Sequence, residues 1–147
     1  MTNSRNEVAM FHFMTVVRAL TDENRVRILA ALRGRELCVC QVTGLLDLAP
    51  STTSKHLSIL RQARLIEGRR RGKWVHYRTA DSESAPIYVR EALHFVFESL
   101  KNSPELAADE QRLKLILQSG DCAGEPDEER HSPFIHSLVP DAEETQP

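Results

Sequence analysis

The sequence predicts a mainly α-helical fold carrying one small β-hairpin, an α+β arrangement in which the hairpin stands out as a wing. Three observations predict it. Apolar residues recur at helical spacing in four successive segments before residue 65, the period then shortens on either side of residues 69–73, and helical spacing returns from about residue 85. At 147 residues the chain has room for one domain of ordinary size and little more.

The first helix is expected from about Asn6 to Leu20, with Met10, Phe13, Met14, Val17 and Leu20 in one stripe and Val8 and Phe11 as a second apolar edge. Thr21 or Asp22 can cap the next helix, where Val26, Ile28, Leu29 and Leu32 are core candidates and Gly34 lies just past the end. A short third helix spans about Val39 to Leu46. Pro50 stands at the start of a fourth, opened by Ser51, Thr52 and Thr53 and running to about Ala63. At 100° per residue Thr53, Leu57 and Leu60 face the core, which leaves Ser51, Lys55 and Ser58 opposite and Thr52, Ser54 and Arg61 on the flanks. Leu65 to Glu67 and Trp74 to Tyr77 then read as two strands around an RRRGK turn, with Trp74 and Tyr77 serving the hairpin's own packing. Four helices followed by a hairpin is the order of a winged helix-turn-helix.

A further helix from about Ala85 to Leu100 has its stripe at Val89, Leu93, Val96 and Leu100, with Ile87, Ala92 and Phe97 on neighbouring faces. Both terminal helices thus hold more apolar surface than one contact needs, which predicts a helical homodimer interface. Beyond Leu100 the pattern weakens. Residues 105–117 allow one more helix, and Gly120 to Pro147, with four prolines and an EPDEER run, reads as an acidic tail that cannot fold alone. The expected division is a DNA-binding and dimerisation domain over 1–100 and an acidic extension over 101–147.

Charge divides the same way. Residues 1–100 hold 15 Lys+Arg against 10 Asp+Glu, and residues 101–147 hold 4 against 11. Between 55 and 78, eight basic residues face the single acid Glu67, the footprint of a polyanion-binding surface. Short hydroxyls on the fourth helix suit close approach to base edges in a major groove, while Lys55 and Arg61 suit phosphates. The expected contacts with double-stranded DNA are Ser51, Thr52, Ser54, Lys55, His56, Ser58 and Arg61 on the helix, with Arg70, Arg71 and Lys73 on the wing. No nucleophile elbow, paired carboxylates or phosphate-cradling glycine loop points to an enzyme. No run reaches the roughly 18 apolar residues of a membrane span, and three cysteines, an odd number, fit thiols in a reducing cytoplasm better than a disulfide framework.

Two of those thiols, Cys38 and Cys40, stand one residue apart where the third helix begins. On a regular helix they would point about 200° from each other, so sharing one ion requires Cys38 just outside the helix and Cys40 in its first turn. A helix N-terminus also favours thiolate.

The stretch from Ala19 to Thr79, and in particular ELCVC, STTSKHLSILRQARLI and GKWVHYR, resembles the ArsR/SmtB family of metal-responsive bacterial repressors, its arsenic-sensing branch above all. The resemblance implies a homodimer that holds operator DNA and leaves it when a thiophilic ion binds, with arsenite or antimonite as inducer at Cys38 and Cys40 and no organic cofactor. It also implies three sulfurs around arsenic. Here Gln41, Val42 and Thr43 stand where a third nearby cysteine would follow, which leaves Cys122 or an exogenous thiol or hydroxide to complete the shell. Two alternatives share the fold. One is a redox- or persulfide-responsive repressor using the same cysteines with Cys122. The other is a zinc- or cadmium-responsive one, for which residues 1–37 supply no cysteine and Asp81, Glu83 and His94 only part of the family's zinc pattern.

Overall fold

The computed structural model describes residues 2–120, with side chains from residue 7 onward. The elements run α1 (Thr2–Ala19), α2 (Glu23–Leu32), β1 (Leu37–Cys38), α3 (Val39–Leu46), α4 (Pro50–Gln62), β2 (Ile66–Arg71), β3 (Trp74–Thr79), α5 (Ile87–Ser99) and α6 (Pro104–Ser119). Asp22 caps α2 by accepting from the backbone N–H of Asn24 at 2.8 Å and of Arg25 at 3.3 Å. Pro50 takes the first turn of α4, where its missing N–H costs nothing. Ile28, Leu29 and Leu32 from α2, Val42 and Leu45 from α3, and Leu57 and Leu60 from α4 meet Leu65, Tyr77, Val89 and Leu93 in one core. Thr53, Leu57 and Leu60 are fully buried, so α4 turns the expected face inward.

The hairpin differs from expectation in two ways. It belongs to a three-stranded antiparallel sheet of order β1-β3-β2, with Leu37 opposite Tyr77 and Cys38 opposite His76. In addition, Arg69 to Arg71 are strand residues, and the turn itself is only Gly72–Lys73 between the pair Arg71 and Trp74. Gly72 has φ +61°, the pattern of a two-residue hairpin with glycine first, so nothing requires the arginines to turn the chain.

Gly68 is fixed by packing. A Cβ there would lie 3.1 Å from Cε1 of Tyr77 and 3.3 Å from Cγ1 of Val75, both buried. Gly68→Ala is therefore expected to destabilise the fold by about 1–2 kcal/mol through overpacking, read as a lower urea midpoint with unchanged slope.

Helix α6 packs on the same body. Ser103 caps it through the Leu106 N–H at 3.3 Å, Leu113 enters the core, and Ile116 packs beside it. Asp109, a buried acid, takes both prongs of Arg27 on α2 at 2.7 and 2.9 Å, and Glu110 receives Arg35 at 2.9 Å. On the outside, Val8, Met10, Phe11 and Phe13 of α1 and Ile87 and Phe95 of α5 are all more than half exposed in the single chain. Among the described residues no helix is long and apolar enough to cross a membrane.

Candidate nucleic-acid interface and thiol site

The outer side of α4 carries the predicted polar set. Ser51, Thr52 and Lys55 are exposed, and Ser54, Ser58 and Arg61 are half-buried. His56 sits differently from these. Its Nδ1 lies 3.3 Å from Nη1 of Arg25, whose Nε donates to the Ala19 carbonyl at 2.8 Å and whose Nη2 donates to that of Arg18 at 3.1 Å. His56 thus ties α4 to the end of α1.

On the wing, strand alternation divides the three consecutive arginines. Arg69 and Arg71 reach one half-buried carboxylate, Glu36, at 2.8 and 3.4 Å, and Arg78 approaches it at 3.9 Å while donating to Glu67 at 2.9 Å. Arg70, one residue out of phase, is exposed and makes no ion pair among the described residues. Lys73 is exposed at the turn. Tyr77 buries its ring under the sheet, and burial holds its hydroxyl well above the ordinary tyrosine range.

The thiols occupy the junction of sheet and helix. Cys38 is at once the last residue of β1 and the N-cap of α3, with extended backbone, and Cys40 lies in the first turn. The Cys38 N–H donates to Oε1 of Gln41 at 3.0 Å, closing a capping box. Cys38 is buried and free, whereas Cys40 is disulfide-bonded. Burial pushes the Cys38 thiol above its ordinary value, and the backbone N–H groups of Gln41 and Cys40 work against that by favouring thiolate. His76, directly across the ladder, is held below the ordinary histidine range, first by desolvation and then by Arg71 and Arg69, with Glu36 opposing. Among the described residues its Nδ1, like the Thr43 hydroxyl, is buried without a hydrogen-bond partner.

Cys122 lies outside the described residues. Among those described, no group of three or more His, Cys, Asp and Glu side chains is placed to hold a metal, and Asp81, Glu83 and His94 form none within one chain. Sequence reasoning missed Glu36 and Arg25. Glu36 is noticeable only once β1 is known to join the wing, because strand alternation then sets it on the face of Cys38, His76 and Arg69.

Residues 22–67 match the family described as bacterial regulatory protein, arsR family. The chain is 38% identical over 101 residues to the arsenic resistance transcriptional regulator ArsR2 of Pseudomonas putida, covering 67% of this chain and 84% of that protein. It is 40% identical over 76 residues to a transcriptional repressor SmtB homolog of Synechocystis, covering 52% and 58%. The chain spans 50–58% of the length of the first curated relatives it matches. The fold is similar to that of a solved structure described as a homodimeric winged helix-turn-helix DNA-binding domain from Mycobacterium bovis, at a TM-score of 0.56 and 24% identity over 68% of this chain and 88% of that one.

Proposed function

As this chain belongs to the arsR family of bacterial regulatory proteins, we propose that it is a homodimeric transcriptional repressor that holds operator DNA and releases it when arsenite or antimonite binds at Cys38 and Cys40. The observation that carries this reading is the double position of Cys38, which ends a strand of the wing and caps the helix that packs on α4. Soft thiolates suit a soft, thiophilic centre better than a hard cation. Once an external reductant has opened the Cys40 disulfide, each thiol would give its proton to a hydroxide of arsenite, which leaves as water while an arsenic–sulfur bond forms. Drawing the two sulfurs together strains the start of α3. An ion that prefers the strained state weakens DNA binding by the difference in its affinity for the two states, typically about 1–3 kcal/mol.

Ser51, Thr52, Ser54, Lys55, Ser58 and Arg61 then face the major groove, with His56 bracing the helix, and Arg70, Arg71 and Lys73 lie along the backbone or minor groove. The apolar residues left outside on α1 and α5 supply the dimer contact, as large exposed apolar patches seldom persist on monomers. Arg70→Ala is expected to weaken binding about equally for all duplexes and to lower the log–log salt slope by about 2, about 1 for each protomer of the dimer, measured by fluorescence anisotropy. The experiment that tests the whole reading is arsenite titration, in reductant, of the protein bound to a labelled dyad-symmetric promoter fragment. Release at stoichiometric arsenite supports it, and retention of the fragment at saturation refutes it.

One observation favours a second reading. Cys40 is disulfide-bonded, which fits a repressor switched by oxidants or persulfides. Release by peroxide or persulfide, without release by arsenite, selects it.

A further inference from the structure

Among the described residues, Glu36 is the one acid that reaches arginines on both β2 and β3 while standing two residues from a cysteine. Its side chain is 19% exposed, against 49% for Arg69, 58% for Arg71 and 45% for Arg78, so a shielded carboxylate is shared by three outward guanidiniums. The sharing is uneven. Arg69 is held tightly at 2.8 Å, whereas Arg71 and Arg78 stand at 3.4 and 3.9 Å, and Oε1 of Glu36, the atom facing Arg71, is buried without a hydrogen bond. Strand alternation puts Glu36 on the same face as Cys38, at most about 7 Å away along the backbone.

We propose that Glu36 is a positioning residue that transmits inducer binding at Cys38 directly to the wing, by anchoring β2 through Arg69 and holding Arg71 in its operator-binding placement until β1 moves. This rests on the reading of Cys38 and Cys40 as the inducer site. Closing Cys38 onto Cys40 draws the end of β1 toward α3, and Glu36 moves with it. The 2.8 Å pair to Arg69 cannot stretch by an ångström and remain a charge-assisted hydrogen bond, so the carboxylate leaves the arginines and the wing loses its fixed charges. The wing is thereby an output in its own right, beside the route from α3 to α4.

The test uses full-length Glu36→Gln, an isosteric change, in reductant. Operator affinity is measured with and without arsenite, arsenite binding is followed by arsenic–thiolate absorbance, and amide exchange along residues 74–79 is followed in arsenite-free protein. Expected are unchanged arsenite binding, faster exchange in the free protein, and a ratio of operator affinities without and with arsenite at least about fivefold smaller than in the parent, where couplings of about 5- to 150-fold are usual. Glu36→Asp, which keeps the charge, should restore part of the ratio. In an Arg69→Gln, Arg71→Gln background the Glu36 change should add nothing, as residues acting through one another do not add. An unchanged ratio with intact arsenite binding overturns the proposal, as does an effect that persists in the double-glutamine background. Failure of arsenite to release the parent protein instead overturns the inducer reading, and this proposal with it.

Discussion

Asp109→Ala is expected to cost the fold about 2–4 kcal/mol, seen as a large drop in the urea midpoint. Asp109 is 8% exposed and accepts both prongs of Arg27, whose guanidinium that contact holds above its ordinary value. Removing the carboxylate leaves a charge in a site built for a pair, and that uncompensated charge dominates the loss, more than the attraction given up. The partner variant separates the two terms. Arg27→Met together with Asp109→Leu removes both charges and fills their volume, so it should recover most of the stability. An Asp109→Ala loss below about 0.5 kcal/mol would show α6 to be loosely docked, with Leu113 contributing little to the core.

The largest functional effect is expected from Cys38→Ser combined with Cys40→Ser. Serine keeps the size of each side chain and the capping role at position 38 but supplies no soft thiolate. Operator affinity in the absence of inducer should stay within about threefold of the parent, because neither residue lies on the outer face of α4 or on the wing tip. Arsenite release should disappear, with at least about a hundredfold more arsenite needed for any effect, at the upper range of couplings of this kind. Anisotropy of the labelled fragment reads both quantities in one titration. Release by arsenite at the parent concentration would remove both cysteines from the switch.

How far the sequence could be read depended on how local the determinants were. The inward face of α4 was legible because Thr53, Leu57 and Leu60 repeat at helical spacing over two turns, and all three are buried. The placement of Cys38 just outside α3 followed from the geometry of two sulfurs on one helix and agrees with the observed cap. Strand β1 was not legible, since two residues carry no period, and only pairing with residues 76 and 77 makes them a strand. That omission hid Glu36. The wing arginines read as a turn because charge and a nearby glycine resemble one, yet Gly72 and Lys73 suffice to reverse the chain. The pattern in α6 looked scattered because one of its inward residues is an aspartate, whose partner Arg27 lies 82 positions earlier in the chain.

Helix α3 lies between α4 and α6, and a Cβ on Gly44 would sit only 3.7 Å from Ile116 of α6. A short rod braced along two sides has little compliance in bending. Strain applied at its N-terminal end is therefore passed on as tilt of the rod or as slip of the strand joined to that end. If the proposed inducer site is right, the sensitivity of the switch would depend on the stiffness of the backing helix as well as on the chemistry of the ion.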